Sequence, residues 1–242
     1  MKDTIFKIKE NREIAKNTYE MVLLGDTSLL RAGGFVNIKL DGFYLRRPIS
    51  VCDYEGDALT IIYKAVGQGT RVMAKMTQGE ELLVLTGLGN GYDTKRSGER
   101  PLLIGGGAGV PPMYRLCREL IAEGKSVSVI LGFGGADEVF YEKEFLALGA
   151  SVSVTTVRGD YGIPGFVTDA MDGVDYTYFY TCGPEAMLRA VYDKSKTSGQ
   201  FSFEERMGCG FGACMGCSCH TKYGDKRICR DGPVLEKEEI IW

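Results

Sequence analysis

The chain has 242 residues, 44% of them hydrophobic and 25% charged, with a formal net charge of -3. That is the composition of a protein that buries a core, not of a disordered one, and it lacks the basic footprint of a nucleic-acid binder. No run of about 18 apolar residues is available to span a membrane, and the opening MKDTIFKIKE has no apolar signal core, so a cytoplasmic location is expected.

In chain order, TIFKIKE, TYEMVLL, FVNIKL, ISVCDY, ALTIIYKAV and EELLVL are six β-type runs separated by turns bearing Gly or Asp. Their spacing predicts a small antiparallel barrel over residues 1–97. TRVMAKM, Thr70–Met76, reads as a helical turn or two before the last strand, and the polar Asp93–Arg100 as a linker. From Pro101 the rhythm changes to strands alternating with helices: PLLIG, PPMYRLCRELIAEG, SVSVILGF, ADEVFYEKEFLALG, SVSVTTV, YTYFYTCG and PEAMLRAVYDKSK. Such alternation predicts βαβ units on a parallel sheet, here over residues 98–200. Residues 201–242 return to a strand, FSFEERM, and then enter a cysteine-rich segment.

Several turns carry the residues that ligand chemistry needs. In Leu45-Arg46-Arg47-Pro48-Ile49-Ser50 an arginine can grip a pyrophosphate bidentately and Ser50 can hydrogen-bond a ring system, although arginines at a strand start are commonly just solvated. Gly67-Gln68-Gly69-Thr70 opens the short helix with free N–H groups, a natural phosphate cradle. Gly105-Gly106-Gly107-Ala108-Gly109-Val110-Pro111-Pro112 links a strand to a helix in the pattern G-x-G-x-x-P. Its glycines let a phosphate approach the backbone, and proline is tolerated in a first helical turn. Thr181-Cys182-Gly183-Pro184 is a second strand-to-helix turn, with a ligand-free helix start as its plain alternative.

Of eight cysteines, five lie between Cys209 and Cys229, and the single histidine, His220, lies among them. One histidine excludes a Rieske centre or a two-histidine metalloprotease helix. Without a secretory leader a dense cysteine cluster points to a metal rather than to disulfides. The spacing Cys209-x4-Cys214-x2-Cys217-x11-Cys229 is that of plant-type [2Fe–2S] ligation by four thiolates. Structural zinc commonly uses C-x2–4-C pairs, and only Cys214 and Cys217 have that spacing. Cys219 and His220 are read as non-ligands.

Taken together, LRRPIS, IYKAVGQGT, GGGAGVPP, DEVFYEKEF, CGPEAML and ERMGCGFGACMGCSC…CRDGPV, in this order, resemble the ferredoxin–NADP reductase superfamily along the whole chain. Within it the C-terminal segment is similar to the family of electron-transfer subunits of two-subunit, NAD-dependent dihydroorotate dehydrogenases. That resemblance implies an FAD-binding barrel, a Rossmann-like NAD domain and a small [2Fe–2S] segment. It places FAD on Arg47, Pro48, Ile49, Ser50, Ile62, Tyr63, Lys64, Gly69 and Thr70. It places NAD(H) on Gly105, Gly107, Gly109, Pro112, Cys182, Gly183 and Pro184, and the cluster on Cys209, Cys214, Cys217 and Cys229. It names no catalytic acid or base, and implies an FMN-containing catalytic subunit as partner in a heterotetramer of two chains of each kind. One departure is Gly134-Gly135, where many relatives carry a basic residue. The closest rival is the flavin subunit of ferredoxin-dependent transhydrogenases, in which an aspartate is expected for one of the four cysteines; Cys209 argues against it. A third reading is a non-enzymatic, zinc-stabilised nucleotide-binding module.

Overall fold

Alternating apolar and polar residues drive the first part of the chain into strands with one buried face. In the computed structural model, which describes all 242 residues, these are β1 (Lys2–Ala15), β2 (Thr18–Leu24), β3 (Phe35–Ile38), β4 (Arg47–Glu55), β5 (Ala58–Lys64) and β6 (Glu81–Leu88). They close into an antiparallel barrel in the order β1-β2-β5-β4-β3-β6. Phe6, Ile8, Met21, Leu23, Val36, Ile38, Leu59, Ile61 and Val84 fill it. The short helix α1 (Gln68–Met73) follows β5, as expected. The segment expected as a linker holds a 3-10 turn, Thr94–Arg96, whose first residues are capped by the Asp93 carboxylate.

The second half runs β7 (Pro101–Gly106), α2 (Pro111–Ala122), β8 (Ser128–Phe133), α3 (Glu142–Ala147), β9 (Ser151–Thr156), β10 (Ile163–Pro164), β11 (Tyr178–Cys182), α4 (Glu185–Lys194) and β12 (Gly199–Ser202). After these come a hairpin of β13 (Ser218–Thr221) and β14 (Gly224–Arg227), the single-turn helix α5 (Ile228–Asp231) and β15 (Val234–Glu236). The sheet order is β10-β9-β8-β7-β11-β12-β15, parallel throughout except for β15, which pairs antiparallel with β12. The barrel and the doubly wound sheet are the architecture that the sequence predicts. No helix is long and apolar enough to cross a membrane.

Three local expectations differ. The strand expected from Ile49 starts at Arg47, because residues 47–50 pair with β3. The helix expected over ADEVFYEKEFLALG is broken into a 3-10 turn, Ala136–Glu138, and the six-residue α3. Tyr141 between them is left-handed, φ 66°; its hydroxyl donates to buried Glu20 at 2.6 Å and its ring meets Tyr114 edge-on at 5.0 Å. Those tertiary contacts override the helical pattern. The strand expected over FSFEERM stops at Ser202, and Glu204, Glu205 and Arg206 turn out to solvent. Because β12 spans residues 199–202 and β15 joins the same sheet, the cysteine segment leaves the α/β layer and returns to it.

Polar contacts fix the barrel to the α/β layer. Asp53 receives Arg115 at 3.4 Å and Arg118 at 2.5 Å, and Lys64 meets Glu138 at 2.7 Å. Beneath them Ala32, Cys52 and Ile62 of the barrel half pack with Val110, Met113 and Leu116 around α2 and with Cys182.

Candidate functional site

Three groups of the expected residues come together, and one apolar layer connects them. At the barrel edge, Arg47 lies over Gly69: a Cβ there would overlap its guanidinium. That guanidinium also lies 4.6 Å from the centre of the Phe43 ring and donates to the Leu45 carbonyl. Pro48, Ile49 and Ser50 are half-buried beside it on β4. A cationic fork over a glycine at a helix start fits a pyrophosphate. Thr70 closes the turn through its hydroxyl, which accepts from the Gly67 amide at 3.1 Å. Ile62 and Tyr63 are buried, and the Tyr63 hydroxyl donates to Asn11 at 2.9 Å. Tyr63 therefore offers a ligand its main chain rather than its ring. Lys64 is already held by Glu138.

The second group sits where the parallel sheet changes winding direction. β7 and β11 are neighbours, with Gly105 opposite Cys182, so both glycine-bearing turns emerge from the same end of the sheet. Ligands of open α/β sheets bind in that crevice. Gly107 has φ +52°, with open space where a Cβ would stand, and Gly109 lies so close to the Cys182 carbonyl that a Cβ would overlap it. Pro111 and Pro112 occupy the first turn of α2. Thr181 Oγ1 is buried without a partner beside the turn. Burial pushes the Cys182 thiol up to about 12, so it is neutral and apolar. The residue types, the loop and the orphaned hydroxyl fit a dinucleotide.

The third group is the thiols, arranged as two pairs. Cys209 and Cys214 each receive the other's backbone N–H on sulfur at 3.4 Å; Phe211 and Ala213 add N–H donors to Cys209 Sγ at 3.5 and 3.2 Å. Cys217 Sγ receives the Cys229 amide at 3.4 Å. Burial pushes the Cys209 thiol up, but the amides of Phe211, Cys214 and Ala213, with the Cys214 side chain, outweigh it and bring the thiol to about 6. Burial and the facing Cys217 push Cys229 up to about 12. Glycines leave room around Cys214: a Cβ on Gly208 would come 3.1 Å from its sulfur, and one on Gly216 3.6 Å. No three His, Cys, Asp or Glu side chains close around one metal ion. Two thiol pairs, the first ringed by amides and the second accepting one, are the donor set of a two-iron centre, and the residues fit it. Cys219 is half-buried, while His220 is exposed and hydrogen-bonds Asp225 at 2.7 Å.

Sequence reading had not marked Asn37, whose amide donates to the Cys209 carbonyl at 3.3 Å. Nor had it marked Asn90, which accepts from the Val234 amide at 3.0 Å and donates to its carbonyl at 2.7 Å. A polar residue inside the apolar run FVNI was the available signal for the first. Arg158 reaches Gly135 from the end of β9, where it pairs with Asp137 and, at 3.1 Å, with Asp160.

Comparison with known proteins gives a consistent picture. Residues 204–241 match a family described as the iron-sulfur cluster binding domain of dihydroorotate dehydrogenase B, and residues 103–193 match an oxidoreductase NAD-binding domain. The chain is 46% identical to a Bacillus mycoides protein named dihydroorotate dehydrogenase B (NAD(+)), electron transfer subunit, over 97% of this chain and 96% of that one. A Bacillus cereus protein of the same name is 45% identical over the same shares. Among solved structures, one of an NADH-dependent reduced ferredoxin-NADP oxidoreductase superimposes with a TM-score of 0.89 at 26% identity, covering 98% of this chain and 90% of that one. A Neisseria gonorrhoeae ferredoxin NADP+ reductase with bound FAD and NADP shares the fold at TM-score 0.69 and 19% identity, over 80% of this chain and 90% of that one.

Proposed function

The chain belongs to the family of electron transfer subunits of dihydroorotate dehydrogenase B, and on that premise we propose how it works. It is the electron-transfer subunit of an NAD-linked oxidoreductase. It passes electrons between NAD(H) and the FMN of a separate dihydroorotate dehydrogenase catalytic subunit, through FAD and a [2Fe–2S] cluster, in pyrimidine biosynthesis. When bound, FAD would supply both hydride and single-electron exchange, and the cluster single-electron transfer.

The chain's own residues bind and place these groups. Arg47 and the Gly69–Thr70 turn would hold the FAD pyrophosphate, and Pro48, Ile49, Ser50, Ile62, Tyr63 and Lys64 would complete the FAD site. Gly105, Gly107, Gly109 and Pro112 receive the NAD(H) pyrophosphate at the start of α2, and Cys182, Gly183 and Pro184 border the nicotinamide side. Cys209, Cys214, Cys217 and Cys229 would hold the [2Fe–2S] cluster. No side chain acts as acid or base, which agrees with a lone histidine that is exposed and bound to Asp225. The three-part division, 1–97, 98–200 and 201–242, assigns one group to each part. Two of these chains with two catalytic subunits make the assembly. Its compartment is the cytoplasm, where cysteines such as Cys52 and Cys117, free in the structure, stay reduced.

One observation carries the relay. Phe35 pairs with Ser50 across β3 and β4 and packs in the same apolar core as Cys217 and Cys229. The FAD segment and the second thiol pair thus share one wall. The transhydrogenase reading draws on the 0.89 superposition, but 46% identity over nearly the whole chain favours the dihydroorotate system. Anaerobically purified protein should contain flavin, iron and sulfide in the proportions of one FAD and one [2Fe–2S] cluster. Mixed with the catalytic subunit, it should support dihydroorotate-dependent NAD reduction. Zinc in place of iron, or no flavin, would refute the proposal.

A further inference from the structure

We infer that Asn37 is a positioning residue for the cluster: it fastens the first cysteine-ligand loop to the FAD-bearing wall of the barrel. The inference rests on the functional reading above and concerns a residue that no motif includes.

Asn37 stands on β3 between Val36 and Ile38, which fill the barrel, so by strand alternation its side chain leaves the barrel on the opposite face, with Phe35. On that face it is opposite Pro48, as Phe35 is opposite Ser50. It is only 1% exposed. Its Nδ2 donates to the Cys209 carbonyl at 3.3 Å, and Gly210, at φ +78°, lies so close that a Cβ would overlap that nitrogen. A carbonyl needs a donor, which fixes the NH2 toward Cys209. The amide's other atom, Oδ1, is buried with no partner.

A half-satisfied buried amide costs free energy, and an apolar side chain of the same shape would avoid that cost. Packing alone would therefore favour leucine here. What asparagine adds is a directional bond to the main chain of a thiol-bearing residue. Groups that orient metal ligands at one remove set affinity and potential, and losing one typically costs about 10–100-fold in metal affinity or activity. The other end of the segment is fixed separately, through Asn90 and Val234. Asn37 thus governs the Cys209–Cys214 side in particular.

The test uses the full-length protein with both groups loaded, as wild type, Asn37→Leu and Asn37→Ala. Both variants remove the donor, and the leucine keeps the size of the side chain. Three things are measured: flavin and iron content, the electron paramagnetic resonance spectrum of the dithionite-reduced cluster, and the rate of iron loss to a ferrous chelator. We expect FAD content near wild type, an altered spectrum, and iron loss faster by about 10-fold or more. Iron absent while FAD is retained would be the same result in stronger form. An unchanged spectrum and unchanged iron loss in either variant would overturn the inference. Loss of FAD along with iron in both variants would also overturn it, because Asn37 would then be holding the barrel. An iron-free wild type would instead sink the functional reading beneath it.

Discussion

At the scale of single residues, the thiols separate by environment as well as by spacing. Cys219 lies on the β13–β14 hairpin opposite Lys226, outside the two hydrogen-bonded pairs. Cys219→Ser should keep the cluster absorption, and serine at Cys209, Cys214, Cys217 or Cys229 should lose it; a visible spectrum of each purified variant decides. Acidity separates the pairs further. In iron-free protein Cys209, near 6, is mostly thiolate at pH 7, whereas Cys229, near 12 and buried, is not. Since the thiolate is the nucleophile, iodoacetamide should label Cys209 well before Cys229, and labelling of Cys209 should fall as pH drops below about 6. Peptide mass mapping over a pH series checks both. The four thiols proposed as ligands could be singled out from the sequence because ligation spacing is local along the chain. Asn37 was not, because its role depends on Cys209, 172 positions away, and nothing local distinguishes it from a polar residue at a strand edge.

At the scale of elements, the barrel strands and the βαβ units followed from periodicity and turn residues, while the break at Tyr141 did not. Its left-handed backbone is set by Glu20 and Tyr114, which come from other elements. The same region bears on nucleotide choice. The end of β8 carries Asp137 and Glu138, and a 2′-phosphate there needs a free cation. Arg158 arrives from the end of β9, but Asp137 and Asp160 both engage it, and Lys16 also pairs with Asp137 at 2.8 Å. The cation is spoken for and the carboxylates repel a phosphate. NADH should therefore give the higher kcat/KM in a diaphorase assay with an artificial acceptor. Asp137→Ala should narrow the gap by freeing Arg158 and removing a charge. Equal values for NADH and NADPH in wild type would contradict this account.

At the scale of the whole molecule, three sites lie on two continuous layers. One joins Ile62 and Cys52 of the barrel to Cys182, and the other joins Phe35 to Cys217 and Cys229. The barrel is thus the common member, sharing one core with Cys182 through Ile62 of β5 and the other with Cys217 and Cys229 through Phe35 of β3. With FAD on the barrel residues proposed for it, the flavin would stand between the other two groups. On the cluster loop, Phe211 and Met215 are exposed at 41% and 55%. On the relay proposed above, electrons leave from the cluster side to a separate subunit, and those exposed apolar side chains offer it a docking surface. The isolated chain should reduce artificial acceptors with NADH and leave dihydroorotate unoxidised. With the catalytic subunit added, dihydroorotate-dependent NAD reduction should appear. Replacing Cys217 by serine should abolish that coupling, because it empties the cluster side, yet spare NADH-driven flavin reduction, because the β5 side and the Gly105–Val110 turn are untouched. Stopped-flow absorbance of the flavin band, run beside the coupled assay, separates the two steps. Full coupling by an iron-free variant would show that electrons bypass the cysteine segment, and the order of the relay would have to be redrawn.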